Sequence, residues 1–234
     1  MGQTKFESWL RSKVRHAIDR PFCSSSADVR LLGDEGTGWV MCINPPPPVC
    51  YCAGMGNGIT FEQELAKIAR QPVLVFDPSP TGIATIERSD TANLRFFPVG
   101  LAADMAVVEF SLPQNPDEGS YSVACEGSEK VSFECWDLPT IMRKNGDRSI
   151  DLLKMDIEGF EYDIVDRFLD ERIPIRQLCV EFHPWLAPGR TFKTIARLYK
   201  SGYRIIHKYR GDYTFLLNEA RFNQLLQLYA RRSN

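Results

Sequence analysis

Val49-Cys50-Tyr51-Cys52-Ala53-Gly54-Met55-Gly56-Asn57-Gly58 is a short apolar run stopped by glycines. Such a run reads as a buried strand leaving through a tight turn. Ile59, Phe61, Leu65, Ile68 and Ala69 then recur at helical spacing, and Val73-Leu74-Val75-Phe76 forms a second buried strand broken by Asp77-Pro78-Ser79-Pro80. Toward the C-terminus, strands are expected at 94–99, 106–110, 131–135, 150–157 and 177–182. Helices are expected around Leu138-Ile141-Met142, around Tyr162-Val165-Phe168, over 191–201 and over 218–230. Arg210-Gly211-Asp212 separates two aromatic-rich runs as a hairpin turn. Toward the N-terminus, Phe6, Leu10, Val14 and Ile18 suggest an amphipathic helix. An irregular segment follows, ending in Pro45-Pro46-Pro47-Pro48, which cannot donate to a ladder and gives a stiff approach to the first strand.

Buried strands alternating with amphipathic helices imply an α/β fold. The expected architecture is a Rossmann-like, mostly parallel sheet with helices on both faces and an antiparallel C-terminal hairpin. Residues 1–48 are expected as a helix and irregular extension, and 49–234 as the principal domain.

The bulk properties narrow the function classes. The chain of 234 residues is 44% hydrophobic and 25% charged, within the range of an ordinary globular protein. Its 30 acidic and 28 basic residues give a net charge of −2, which supplies no electrostatic drive toward nucleic acid or an anionic membrane. No stretch approaches the roughly 18–20 consecutive apolar residues of a membrane helix. Seven cysteines without a secretory signal point to a reducing, cytoplasmic setting rather than a disulfide framework. Cys50 and Cys52 are read as facing opposite sides of one strand, and no second Cys/His pair has ligand spacing, so the thiols are read as structural.

Four features bear on chemistry. A glycine turn between strand and helix exposes backbone N–H groups at the sheet's carboxyl edge, and Gly54, Gly56 and Gly58 let a ligand approach the main chain. Asp77, at the end of the next strand, is placed to accept hydrogen bonds from both hydroxyls of a ribose. An N-cap or turn aspartate before Pro78 is the plainer reading, and the glycine turn and Asp77 together favour an adenosine-containing ligand. The turn lacks the G-x-G-x-x-G spacing of dinucleotide binders and the Lys-Ser/Thr ending of a phosphate loop. That favours a methionine-bearing ligand without deciding the matter. Further on, Asp151-Leu152-Leu153-Lys154-Met155-Asp156-Ile157-Glu158-Gly159-Phe160-Glu161 puts three carboxylates at and beyond the end of a central strand. Glu161 has the alternative of serving the first turn of the following helix. Val180-Glu181-Phe182-His183-Pro184 ends the neighbouring strand, so His183 is available as a general base or metal ligand, against the plainer reading of a structural histidine.

In this order these segments resemble the FkbM family of methyltransferases over about residues 49–217. The most specific piece is the Lys-x-Asp-x-Glu-Gly-x-Glu pattern at 154–161. The resemblance implies a class I methyltransferase sheet over the principal domain and S-adenosyl-L-methionine as cofactor. It also implies a hydroxyl acceptor on a small molecule, glycan or natural product. By position, Ala53, Gly54, Gly56 and Asn57 would approach the methionine moiety, Asp77 and Pro78 the ribose, and Gly100 and Leu101 the adenine. Asp156 and Glu158 would line the methyl-transfer cleft. His183 or Asp156 is then expected to take the acceptor's proton, with Glu158 and Glu181 orienting the acceptor or an optional divalent metal. The turn departs from the family's common Gly-Ala-Asn-x-Gly form at Met55 and Gly56. Two rivals share these features: a nicotinamide-dependent oxidoreductase and a non-catalytic S-adenosylmethionine-binding protein.

Overall fold

The computed structural model describes residues 29–34, 36–112, 121–123 and 129–231. The expected helix over 6–18 and most of the expected loop over 113–127 lie outside them. The main sheet has seven strands. β3 (Cys50–Ala53) lies between β4 (Val73–Phe76) and β10 (Ile150–Met155); β5 (Leu94–Phe97) is outside β4, and β11 (Ile175–Glu181) outside β10. These five run parallel, and the hairpin of β12 (Tyr203–Tyr209) and β13 (Asp212–Leu217) closes one edge antiparallel. After β3 the chain therefore winds outward one way, and after β10 the other way. The topological switch lies between their carboxyl ends.

Strand alternation sorts the apolar side chains into two cores. Tyr51, Ala53, Leu74, Phe76, Leu153 and Met155 face one, while Cys50, Cys52, Val73, Val75 and Leu152 face the other. Cys50 and Cys52 thus share a face, as strand positions two apart must, which corrects the expected opposition. The first core is covered by α3 (Leu138–Asn145), α4 (Glu161–Glu171), α5 (Arg190–Lys200) and α6 (Glu219–Ala230), through side chains such as Ile141, Phe168, Leu198 and Phe222. The second is covered by α1 (Thr60–Ile68), through Phe61 and Leu65. Among the described residues no helix is long and apolar enough to cross a membrane.

Three elements differ from the sequence reading. Part of the expected irregular extension is an antiparallel hairpin, β1 (Val29–Leu32) and β2 (Trp39–Cys42), whose Leu32, Trp39 and Met41 complete the second core. Asp77-Pro78-Ser79-Pro80 is not only a break: it starts α2 (Pro80–Glu87), with the Ser79 hydroxyl accepting from Gly82 N and proline in the first turn. The region after β5 builds a separate four-stranded sheet from β6 (Gly100–Leu101), β7 (Ala106–Ser111), β8 (Ser122–Val123) and β9 (Lys130–Trp136), rather than extending the main one.

The junction of β3 with β10 tolerates no side chain at its end. Gly54 has φ +74°, and a Cβ there would lie 1.7 Å from the Asp156 carbonyl oxygen. Gly146 also has a positive φ, of +75°, but open space around it. Gly54→Ala is therefore expected to cost about 3 kcal/mol or more, and Gly146→Ala about 1 kcal/mol. Urea unfolding of both variants checks this; equal losses would remove the close approach as the cause.

Candidate active site

A cavity of about 310 Å³ opens at the switch between β3 and β10. Gly54, Gly56, Asn57, Asp77, Pro78, Gly100, Leu101 and Asp156 all line it, as does Glu158. Ala53 does not reach it, because its side chain packs into the first core. Sequence reasoning passed over the rest of the wall. Met55 and Thr37 contribute from the glycine turn and the N-terminal hairpin, and Phe110, Tyr121 and Phe160 form an apolar side. Phe110 belongs to the second sheet and packs tilted against Phe160, ring centroids 4.8 Å apart, a pairing with no local sequence signal. A larger cavity of about 990 Å³ lies elsewhere, beside Pro45–Pro48 and the start of α6, and none of the expected site residues lines it.

Asp77 is tied into the turn before any ligand arrives. One carboxylate oxygen accepts from Met55 N and Gly56 N, each at 3.0 Å. The other accepts from Ser79 N at 2.9 Å and the Ser79 hydroxyl at 2.6 Å. These four donors match the acceptor capacity of a carboxylate. A ribose meets Asp77 here only by exchanging with one of them, so ligand binding and turn geometry are one unit.

Beneath the turn, Lys154 is buried at 4% exposure, with its ammonium donating to the Gly54 carbonyl and 3.7 Å from Glu62 Oε1. Burial disfavours its charge, but Glu62, Asp156, Cys52 and Asp77 outweigh that and hold it protonated. Among the described residues Glu62 Oε1 has no hydrogen-bond partner.

The Asp156-Ile157-Glu158-Gly159 turn carries two successive positive φ values, +51° at Glu158 and +110° at Gly159. A non-glycine residue held this way indicates that the surroundings dictate its backbone. Glu161 shows what dictates it. Fully buried in the first turn of α4, its carboxylate accepts from Gly159 N at 2.8 Å and His183 N at 3.0 Å, and contacts His183 Nδ1 at 2.9 Å. It is a helix-start acid and also the anchor of His183. His183 Nε2 then faces Glu158 Oε2 at 3.3 Å and Asp156 Oδ1 at 3.8 Å. Burial pulls the imidazole pKa down, but Glu161, Glu158 and Asp156 together lift it to about 9. Of the two residues expected as a base, His183 and Asp156, His183 thus carries a proton at neutral pH.

Glu181 lies on the far side of Asp156, in a second cavity of about 590 Å³ that also includes Asp212. Burial, then Asp156, raises its carboxyl pKa. Among the described residues, the group spaced to hold a metal ion is Asp156, Glu158 and His183, with one atom of each within 4.8 Å of the others. Glu181 is not part of it.

The family model for the methyltransferase FkbM domain matches residues 51–205. The chain belongs to the FkbM methyltransferase family. The seven-stranded order with its antiparallel penultimate strand is accordingly the class I methyltransferase sheet. Among solved structures, the chain is similar to the methyltransferase FkbM from Methylobacillus flagellatus KT, at 13% identity and a TM-score of 0.43. That match covers 73% of this chain and 44% of the other, so this chain spans less than half the length of that protein. A comparison with curated proteins finds no match.

The His183 pKa has a sign that can be checked. A folded value of about 9 above the ordinary 6.5 means that its charge stabilises the fold fully below about pH 6.5. That contribution is lost as pH rises through about 9. Glu161→Gln is expected to lower the His183 pKa and move the alkaline loss of stability to lower pH. Titration of the imidazole by NMR reads this directly; a wild-type His183 titrating at or below 6.5 contradicts the assignment.

Proposed function

We propose that this methyltransferase uses S-adenosyl-L-methionine, held in the glycine-turn cavity, to methylate a hydroxyl on a small molecule, glycan or natural product. The observation that supports this most is convergence: the glycine turn, Asp77 and Asp156 wall one cavity although they come from distant parts of the chain. The fit is chemical as well. Gly56, at φ +52°, has open space where a Cβ would stand, so the main chain is bare toward a ligand. Leu101, Phe110 and Phe160 offer an apolar slot for a purine ring, and Asp77 an acidic wall beside it. About 310 Å³ suits one nucleoside with an amino-acid tail better than a dinucleotide, which weighs against the oxidoreductase reading.

When bound, S-adenosyl-L-methionine supplies an electrophilic methyl group, whose bond to sulfur breaks as a bond to the acceptor oxygen forms. The chain's own residues must orient the acceptor and take its proton. Asp156 is the base in this account, since it lines the cavity and His183 is already protonated at neutral pH. His183, fixed by Glu161, positions Asp156 and Glu158 from behind. A divalent ion at Asp156, Glu158 and His183 is the second reading, favoured by their spacing; it would have to displace the His183 proton.

Transfer of a labelled methyl group to a panel of hydroxylated acceptors tests the proposal. Asp156→Asn is expected to lower kcat by about 10²-fold, with Kd for S-adenosyl-L-methionine nearly unchanged. Full turnover in that variant would remove Asp156 as base. Tight cofactor binding without transfer to any acceptor would favour a non-catalytic binder. Activity abolished by chelation and restored by magnesium would establish the metal reading.

A further inference from the structure

The second cavity, of about 590 Å³, shares Asp156, Met55, Gly58 and Thr37 with the glycine-turn cavity. A molecule seated there reaches the proposed methyl-transfer point across the Asp156 wall. We propose that this cavity is the acceptor pocket and that it selects a polyol bearing a protonated amine, such as an amino sugar or aminocyclitol. The proposal rests on the methyl-transfer reading above and adds the acceptor's chemical class to it.

Strand register sets the charge of this pocket. Glu181 and Asp212 are direct partners across the antiparallel β11–β13 pair. Met155 pairs with Val180, so Asp156 continues the same row on the other side of Glu181. Three carboxyl groups therefore stand side by side at the carboxyl ends of β10 and β11 and the amino end of β13. Like charges placed directly opposite one another are destabilising unless something between them compensates. Asp34, from the turn of the N-terminal hairpin, adds a fourth acid to the lining.

The lining holds fewer cations, Lys154 and Arg210, than acids. Lys154 is occupied by the Gly54 carbonyl and by Glu62, and behind it the buried Glu62 Oε1 still lacks a hydrogen-bond partner among the described residues. Arg210 lies over the Tyr209 ring, 5.1 Å from its centroid. The pocket thus lines up the oxygens of Asp156 and Asp212 around the Glu181 carboxyl, whose pKa burial and Asp156 push up to about 8, a geometry suited to an ammonium flanked by hydroxyls. Tyr209, 56% exposed at its rim, supplies a ring face for the cation or for the carbon face of a sugar. A metal ion fits this row less well. The described residues with metal spacing are Asp156, Glu158 and His183, and neither Glu181 nor Asp212 is among them.

Calorimetry separates the possibilities. The full chain is first titrated with S-adenosylhomocysteine; absence of binding there overturns the methyl-donor reading itself. The loaded protein is then titrated with 2-deoxystreptamine and with myo-inositol, two cyclitols that differ in their amines. The diamine is expected to bind about tenfold or more tightly than inositol. Asp212→Asn and Glu181→Gln are expected to bring the two within about threefold while S-adenosylhomocysteine still binds, which also shows that the variants are folded. Equal affinity for both cyclitols, or no binding of either, overturns the acceptor proposal alone. Displacement of the diamine by magnesium chloride, with magnesium binding the more tightly, overturns it in favour of a metal site.

Discussion

The Lys154 ammonium, buried under the glycine turn, is the interaction on which the site depends. It donates to the Gly54 carbonyl and faces Glu62 on α1, so it joins the central strand β10, the first turn and the first helix at one point. A lone buried charge is costly, and this one is kept by the acids around it rather than by water. The same contact aligns Gly54 against the Asp156 carbonyl, where no side chain fits. Asp77 braces the turn from the other side through Met55 N and Gly56 N. The glycine turn is thus held between a lysine below and a carboxylate beside it, and the cavity takes its shape from both.

Around that turn the acids divide into two sets by their neighbours. Glu158 and Glu161 face His183, whose proton they retain; Glu181 and Asp212 face each other and Asp156. Asp156 belongs to both sets, between the two cavities. In the proposed reaction this position would give one carboxylate access to both donor and acceptor, as an in-line displacement between two bound molecules requires. The strained Glu158-Gly159 backbone follows from the same arrangement, since Glu161 draws Gly159 N and His183 N toward one carboxylate.

The sheet was legible in the sequence because its strands are continuous apolar runs, and burial on both faces leaves few other readings for Val73–Phe76 or Ile150–Met155. Lys154, Asp156, Glu158 and Glu161 were legible as a motif, although the buried union of Glu161 with His183 was not, because 22 residues of chain separate them. Helix α2 was hidden because Pro78 and Pro80 read as breakers, whereas Ser79-Pro80 is a helix start. Asp212 looked like part of a turn; only register shows it opposite Glu181. The hairpin over 29–42 is short and gains its stability from the core it covers, through Leu32, Trp39 and Met41, which no local pattern reveals.

The most direct measurement is a crystal structure of the chain with S-adenosylhomocysteine bound. The thioether sulfur is expected beside the Asp156 wall shared by the two cavities, the ribose against Asp77 and the adenine against Leu101 and Phe110. A nucleoside lodged instead beside Pro45–Pro48, or a sulfur turned away from Asp156, would contradict it.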